Sequence, residues 1–555
     1  MKKHFNKLNP YALFFLIIIA LSIFLRFYNL NWGAPYYFHP DERNIASSIS
    51  GLRFPESMNP NFFAYGSLPI YSAYFLGLIS NYILKFTTQS SDIILVNFTQ
   101  SIIILRSLSL LLSILVTYLV YNLIKKSTDT KYAILGASLT GLNVGLIQYS
   151  HFGTFEIWLT AFFLLLSKFI YEYLNSRKNI WLLLSSLSLG ALLSIKVSSV
   201  VILPIIFLTI VVTNFKTKKD FKKISKYANT TARIILVTLV VSSIFVITSP
   251  FAILDFKSFI GSMNYESSVA LGTINVFYTG GFIDTIPIIY QLFYVYPYIL
   301  NPVNLIVLLT ISPFILLNLK KYKNTLLPLS IAFFLFIFLS QSFLYVKWIR
   351  YYIPTIPFLI IILTFGIKIL IENFSSKYQK VIFYSISSLL ILSSAIFSFS
   401  YFKTVFYKPD TRIAASEFAN LNIPSNAKIV SEVYDLGIIP FNDTFPNITL
   451  FNFYEIDSEY DSQIKIEELR NLISISDYLI LSSQRIIRNR MLNKNAFPNG
   501  YEFYNTLDQR YELIYETPCD IFCKILYIGD PIFATEETAN VFDRPIIQIY
   551  KINHE

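Results

Sequence analysis

The first 401 residues alternate between long apolar runs and short polar connections. A helix needs about 20 apolar residues to cross a hydrocarbon core of roughly 30 Å. Runs of this kind lie near 10–30, 102–123, 132–150, 157–175, 179–195, 197–214, 233–250, 299–319, 325–344, 352–371 and 379–401. The pattern therefore predicts a polytopic membrane protein with about eleven transmembrane helices.

One further apolar segment, 68–86, decides on which side of the membrane the rest of the chain lies. If it does not cross, 22 of the 31 basic residues in 1–401 fall on the cytoplasmic side, as the positive-inside rule requires. If it crosses, the basic cluster 216–226 and most of the others move outside. We therefore predict a cytoplasmic N-terminus and one outer loop, 31–101, with 68–86 as a helix lying in the interface of a cell membrane.

Composition separates the membrane part from residues 402–555. Hydrophobic residues make up 54% of the chain and charged residues only 14%, against about 25% charged in a typical soluble protein. The net charge of +11 does not indicate nucleic-acid binding, because the bases lie between apolar runs and set topology. Residues 402–555 instead carry 22 acidic and 14 basic side chains.

Residues 402–555 show the pattern of a small α/β domain. Short β-branched and aromatic runs predict strands at 427–434, 476–483, 511–516 and 545–552, with helices at 411–420 and 463–473. Cys519 and Cys523 are either free thiols or, outside the cytosol, a local disulfide. The predicted fold class is thus an all-α polytopic membrane domain, 1–401, followed by an extracytoplasmic α/β domain, 402–555.

Acidic residues are scarce in the membrane part, and three lie close to outer ends of predicted spans: Asp41, Glu42 and Glu156. A carboxylate near bilayer depth is costly, so it tends to face a polar cavity and carry function. The alternatives are a solvated loop pair beside Arg43 and a helix N-terminal acid favoured by the dipole. His39 with Asp41 and Glu156 are candidate ligands for a divalent cation, although such histidines, His151 included, are more often interfacial.

Four basic residues at outer span ends form the complementary set: Arg106, Lys196, Lys347 and Arg350. Any one of them could extend toward lipid headgroups. The run from Lys347 to Tyr352 is denser than that role requires, because it combines two bases with three aromatic residues. Such a cluster suits an anionic group such as a lipid phosphate.

These stretches follow one another in an order that resembles the GT-C superfamily of membrane glycosyltransferases. The matching segments are Arg26-Phe-Tyr-Asn-Leu-Asn-Trp-Gly with Phe38-His-Pro-Asp-Glu, Ser150-His151 with Glu156, Gly190 with Lys196, and Lys347 with Arg350-Tyr-Tyr-Ile-Pro. Within the superfamily the chain is most similar to protein O-mannosyltransferase-like and aminoarabinose-transferase-like enzymes.

The resemblance implies an enzyme that transfers a sugar from a polyprenyl-phosphate-linked donor to an acceptor hydroxyl, with inversion, on the outer face. Asp41 is then the catalytic carboxylate, Glu42 its neighbour and Glu156 a second acid, although many relatives carry Asp at that position. Lys347 and Arg350, followed by Arg106 and Lys196, would bind the donor phosphate.

The resemblance leaves the acceptor open among protein, lipid and glycan, and it does not decide whether a divalent cation takes part. A multi-pass transporter or flippase of a lipid-linked or small anionic substrate is the alternative function. A non-catalytic scaffold for the C-terminal domain is a third. Transporters usually show internal repeats and broken helices at the midplane, whereas the ionisable residues here concentrate at one surface.

Overall fold

A computed structural model of the chain describes residues 10–88, 95–215, 217, 219–274, 276–526 and 537–553. It contains a helical membrane part and a small domain built on a five-stranded sheet, which confirms the predicted fold class. The predicted cytoplasmic N-terminal residues 1–9, and residues 89–94 of the predicted outer loop, lie outside the described residues.

Seven helices in the described residues are long and apolar enough to cross a membrane, or eight if one bent pair counts as a single span. The seven are Pro10–Phe27, Phe98–Ser127, Glu156–Ser176, Val197–Asn214, Ile224–Thr248, Ile349–Glu372 and Ser376–Tyr407. The bent pair, Gln291–Leu300 and Pro302–Asn318, turns by 117°. Asn179–Ile195 and Leu326–Ser342 are shorter apolar helices. The count of eleven spans therefore stays a prediction.

The run 132–150, predicted as one span, forms two helices, Thr130–Gly141 and Val144–Ser150. Asn143 caps the second helix by accepting a hydrogen bond from the Leu146 backbone N–H. The buried Arg26 guanidinium donates to the carbonyls of Thr140 (3.2 Å) and Gly141 (2.8 Å) at the end of the first helix. A cation at a helix C-terminus stabilises those unpaired carbonyls, so Arg26 holds this break inside the bundle.

Helices connecting the spans gather at one end of the bundle: Pro40–Gly51, Leu68–Thr88, Phe251–Leu254 and Phe256–Leu271. Pro40 begins its helix, where the missing N–H costs nothing, and Asp41 and Glu42 occupy the first turn, which favours acids. The segment 68–86 is helical as expected. Its placement in the interface stays a prediction.

The C-terminal domain contains a five-stranded mixed sheet. Its strands are β1 (Ile429–Glu432), β2 (Ile448–Phe451), β3 (Tyr478–Leu481), β4 (Glu512–Glu516) and β5 (Gln548–Lys551), in the order β2-β1-β3-β5-β4. β1 pairs with β2 and β3 in parallel, and β5 pairs with β3 and β4 antiparallel. The strand patterns predicted four of the five; β2, which lies at the sheet edge and pairs only with β1 among the described strands, was not predicted.

Helices surround the sheet and connect it to the bundle: Thr411–Asn422, Ser462–Ser474, Gln484–Leu492, Pro498–Asn505, Leu507–Arg510, Ile521–Leu526 and Glu537–Asn540. Cys519 and Cys523, whose state the sequence left open, form a disulfide. The buried Asp543 carboxylate accepts hydrogen bonds from Gln148 (2.8 Å) and Tyr401 of the bundle. The C-terminal domain is therefore anchored into the membrane part by a buried polar contact.

Candidate active site

A cavity of about 750 Å³ lies where the connecting helices meet the ends of the spans. Its titratable lining comprises Asp41, Tyr65, Lys196, Glu266 and Arg350, together with Tyr278 and Tyr351. The remaining wall is largely apolar and includes side chains of the spans Val197–Asn214 and Ile224–Thr248. An apolar pocket with a few convergent polar groups is the usual form of a ligand site.

Asp41 is the cavity acid that pairs with Arg350. Its Oδ2 accepts hydrogen bonds from Arg350 (2.5 Å) and from the Tyr65 hydroxyl (3.0 Å). Both ionic partners remain partly exposed, with 26% of the Asp41 side chain and 16% of the Arg350 side chain accessible. Burial by itself would raise the pKa of Asp41, but the nearby positive charges, of which Arg350 contributes most, and the Tyr65 hydrogen bond together hold the pKa below its usual value. Asp41 is therefore an ionised carboxylate within reach of a ligand.

Lys196 follows directly on helix Asn179–Ile195 and carries the second cation of the cavity. Its ammonium lies 4.4 Å from the Tyr351 ring centroid and 5.7 Å from that of Tyr65. Burial and the nearby Arg350 charge lower the pKa of Lys196 to about 8. Lys196 is therefore mainly protonated at neutral pH and loses its charge within a readily tested pH range.

Gly66 allows this arrangement, because its backbone runs against the end of the helix that precedes Lys196. The Gly66 N–H donates to the Ile195 carbonyl at 2.9 Å. A Cβ at position 66 would lie 2.0 Å from the Ser194 carbonyl oxygen, which is a steric clash. Glycine at this position thus permits the close approach that puts Tyr65 beside Lys196.

Glu156 lies at the edge of the cavity, in a smaller recess of about 40 Å³ that Lys196, Arg350 and Tyr351 also line. It begins helix Glu156–Ser176 and is only 4% exposed, and its Oε2 has no hydrogen-bond partner. A buried polar atom without a partner is costly. The Glu156 Oε2 is therefore an available hydrogen-bond acceptor for a group that enters the recess.

Glu42 and Arg106 face away from the cavity and pair with each other. Arg106 makes two 2.6 Å hydrogen bonds to the Glu42 carboxylate and donates to the carbonyls of Leu30 and Trp32. Glu42 also accepts the Gly153 N–H at 2.7 Å. Neither side chain has any accessible surface. As placed here, neither is open to a substrate, so the predicted contacts of Glu42 and Arg106 with the reactants find no support in this geometry.

Lys347 also lies outside the cavity lining. It is 3% exposed, and its ammonium donates to the Tyr345 carbonyl at 3.0 Å. Burial lowers the pKa of Lys347. Of the predicted site residues, the structure thus brings Asp41, Arg350, Lys196 and, in the recess, Glu156 together. Glu42, Arg106 and Lys347 do not line the cavity, and their roles stay predictions.

The candidate metal ligands do not converge. His39 is enclosed between the rings of Phe152 (4.6 Å) and Phe542 (4.3 Å), and burial lowers its pKa to about 4. His151 stacks on Phe406 at 3.7 Å. Within the described ranges, no group of three or more His, Cys, Asp or Glu side chains could hold a metal ion. His39, Asp41 and Glu156 thus do not fit a metal site as a set, and a role for a cation stays a prediction.

Among the cavity residues that the sequence did not single out are Tyr65 and Glu266. Tyr65 lies in the predicted outer loop without a charge to mark it. Glu266 lies on helix Phe256–Leu271, and burial raises its pKa. The signal available for Glu266 was its position among the few outer acids, on a connecting segment rather than beside a span.

Comparisons with known proteins agree with this architecture. Residues 81–244 match the family described as dolichyl-phosphate-mannose-protein mannosyltransferase. The apo oligosaccharyltransferase of Archaeoglobus fulgidus is 11% identical over 92% of this chain and 73% of its own, with a TM-score of 0.50. ArnT from Cupriavidus metallidurans, in the apo state, is 11% identical over 97% of both chains, with a TM-score of 0.44.

No curated protein sequence matches the chain. At 11% identity the likeness to the oligosaccharyltransferase speaks for the fold alone. That fold, together with the family match inside the membrane part, confirms the superfamily that the ordered motifs of the sequence indicated. The chain has the fold of the GT-C superfamily of membrane glycosyltransferases.

Proposed function

We propose that this protein transfers a sugar from a polyprenyl-phosphate-linked donor to an acceptor hydroxyl, with inversion, on the predicted outer face of the membrane. One observation carries the proposal: a partly exposed carboxylate, Asp41, shares a cavity with two cations, Arg350 and Lys196. The matched family is named for a sugar donor of this lipid-phosphate type. The apolar cavity wall suits a donor that arrives through the bilayer.

The donor phosphate binds to Arg350 and Lys196 in this mechanism. A guanidinium offers a planar set of donors that suits a phosphate, and a lysine adds a point charge. The Arg350 Nε is buried without a hydrogen-bond partner, so one donor is free for the ligand. The same cations then stabilise the negative charge that develops on the leaving phosphate.

Asp41 acts as the general base. Its carboxylate takes the proton of the acceptor hydroxyl while the hydroxyl oxygen forms a bond to the anomeric carbon. The bond between that carbon and the phosphate oxygen breaks, and the polyprenyl phosphate leaves as an anion. A single displacement of this kind inverts the anomeric configuration. General-base help contributes about 10²–10⁴-fold to such a step.

Donor binding also prepares Asp41 for this role. In the free protein the Arg350 charge keeps the pKa of Asp41 low, which makes it a weak base. A phosphate bound to Arg350 neutralises part of that charge, so the pKa of Asp41 rises and the carboxylate becomes more basic. The chemistry is thus coupled to the presence of donor.

The other acids have supporting roles in this proposal. Glu156, whose Oε2 lacks a partner, accepts a hydrogen bond from the donor sugar or the acceptor in its recess. Glu42 and Arg106 are positioning residues that fix the first turn of helix Pro40–Gly51, and with it Asp41. Lys347 supports the segment that leads to Arg350.

The test compares purified Asp41→Asn with wild type in proteoliposomes that contain a radiolabelled polyprenyl-phosphate sugar and a membrane extract as acceptor. We expect transfer to fall about 10²–10⁴-fold. Asp284→Asn is the matched control, because Asp284 is exposed and does not line the cavity. Full transfer by a folded Asp41→Asn protein would overturn the assignment. Lipid movement across the vesicle without any sugar transfer would favour the transporter alternative.

A further inference from the structure

The C-terminal domain presents the carboxyl ends of its parallel strands to the membrane part. β2, β1 and β3 run in parallel, so their carboxyl ends meet at one edge of the sheet. Ligands of open α/β sheets bind in the crevice outside that edge. Here the Phe277 ring of the membrane part lies against Tyr434 (4.4 Å) and Tyr454 (4.6 Å), which follow β1 and β2. The edge is therefore placed beside the catalytic cavity.

A small recess of about 20 Å³ lies at this junction. Arg485, Arg488 and Asn489 of helix Gln484–Leu492 line it from the domain, and Tyr278 and Trp348 line it from the membrane part. Tyr278 and Trp348 also line the main cavity. The recess thus adjoins the proposed active site and has room for about one group the size of water.

Three N–H donors of the residues that line this recess have no partner. They are Arg485 Nε, Arg488 Nε and Asn489 Nδ2, all buried. Arg488 and Asn489 are only 5% and 4% exposed. A buried donor without a partner is costly. Three such donors around one recess suit an oxygen-bearing ligand.

The charges in the recess favour an anionic ligand. Arg485 is already compensated by Asp435 (3.3 Å) and by Glu537 (2.8 Å), whose carboxylate also lines the recess. Arg488 donates to the Tyr290 hydroxyl at 2.7 Å, and it forms no ion pair with any carboxylate of the described ranges. A buried charge without a counter-charge is unfavourable, so the natural complement of Arg488 is a carboxylate from outside.

Backbone packing holds the helix in position against the membrane part. A Cβ at Gly281 would lie 2.5 Å from the Asn489 Oδ1, so the glycine allows helix Gln484–Leu492 to approach this closely. The Asn493 amide donates to the Gly280 carbonyl at 3.1 Å. The donors of Arg488 and Asn489 are therefore held in place before any ligand arrives.

We propose that this recess binds the carboxylate of an acidic sugar in the acceptor, so that the C-terminal domain selects a uronic-acid-containing glycan. The inference rests on the proposed function, because only a sugar transferase has an acceptor. One oxygen of the carboxylate is about the size of a water molecule and fills a recess of this volume. The rings of Tyr278 and Trp348 offer apolar surface to the sugar ring, while the three N–H donors bind its charged edge.

The binding test uses D-glucuronate as probe and the thermal unfolding of the full-length protein in detergent as readout. At about ten times Kd we expect the midpoint to rise by about 2 °C, with no rise for D-glucose, inorganic phosphate or N-acetyl-aspartate amide. Arg488→Gln and Asn489→Asp should abolish the rise, the second by charge repulsion at nearly unchanged shape. Arg510→Gln, an exposed arginine of the same domain, should retain it.

No rise with glucuronate in wild type, or an equal rise in Asn489→Asp, would overturn the site. A rise in the midpoint with the aspartate amide but not with glucuronate would show that the recess binds a peptide carboxylate instead of a sugar, and it would likewise overturn the proposal. This binding readout does not require catalysis, so it is independent of the proposed transferase activity. In a transfer assay with a uronic-acid acceptor, Arg488→Gln should raise the acceptor KM about tenfold and change kcat less, and an unchanged KM would contradict the role.

Discussion

Two acid–arginine pairs begin at neighbouring positions of one helix, and they differ in what surrounds them. Asp41 pairs with Arg350 at the wall of a cavity, where 26% and 16% of the side chains are accessible. Glu42 pairs with Arg106 in an interior that leaves neither side chain any accessible surface. The first pair keeps an unpartnered Arg350 Nε. Every guanidinium nitrogen of Arg106 has a partner.

The contrast shows that the chemical identity of an ion pair does not determine its role. A buried pair with all hydrogen bonds made stabilises the fold, and removing one partner leaves a charge that nothing compensates. A pair at a cavity wall can exchange one partner for a ligand, because water or substrate supplies the hydrogen bonds that the released partner had made. The Glu42–Arg106 pair is thus structural, and the Asp41–Arg350 pair is available for chemistry.

The largest expected effect is a loss of folding stability when the buried Glu42–Arg106 pair is broken. Glu42→Gln leaves the Arg106 charge buried, and we expect the free energy of unfolding to fall by about 3–5 kcal/mol, as measured by denaturant titration in micelles. Glu56→Gln, at an exposed position of the same predicted loop, should have no comparable effect. A Glu42→Gln protein of normal stability that has lost transfer activity would reverse the roles given to the two pairs.

The next effect concerns donor binding. Arg350→Gln removes a charge-assisted contact of about 1.5–3 kcal/mol, so we expect the Kd for the labelled donor lipid to rise about 10–100-fold. Arg350→Lys keeps the charge but loses the planar set of donors, so its Kd for the donor should lie between those of wild type and Arg350→Gln. Equal donor affinity in all three proteins would show that the phosphate binds elsewhere.

A smaller effect is a pH dependence of donor affinity that arises from Lys196. The lowered pKa of about 8 means that the ammonium is charged below pH 8 and loses its proton above it. Donor affinity should therefore decline as pH rises, by up to about tenfold between pH 7 and pH 9. Lys196→Arg should remove this dependence, since arginine stays protonated. A pH-independent Kd in wild type would place Lys196 away from the phosphate.

The smallest effect tests the acid that the sequence did not single out. Glu266 is a like charge for an anionic donor in the same cavity. The cavity wall desolvates it in part, but its side chain keeps contact with solvent, so water weakens the repulsion. Glu266→Gln should therefore tighten donor binding, by less than about threefold, in the same Kd measurement. Weaker binding would mean that Glu266 contacts the donor directly rather than opposing it at a distance.

The sequence predicted the membrane class and the α/β domain. Its resemblance to a family assigned seven residues to one site, of which Asp41, Lys196, Arg350 and Glu156 line the cavity or its recess, whereas Glu42, Arg106 and Lys347 do not.

The sequence did not predict the break between Gly141 and Val144, although Gly141 and Asn143 are residue types that end and cap helices, because the run as a whole is apolar and long enough for one span. The break depends on Arg26, which is 115 residues from the Gly141 carbonyl it binds. Strand β2 was missed as well; it is a four-residue strand at the sheet edge that pairs only with β1 in the described part of the chain.

Hydropathy, charge bias and the order of motifs by themselves determined that this chain crosses a membrane and collects its outer acids and bases in a few segments. Both features depend on residues that are close together in the sequence, so a pattern along the chain is enough to show them. Only the tertiary structure decided which of two adjacent carboxylates, Asp41 or Glu42, meets the cavity. That choice depends on the carbonyls of Leu30 and Trp32 and the N–H of Gly153, which reach Arg106 and Glu42 from distant parts of the chain.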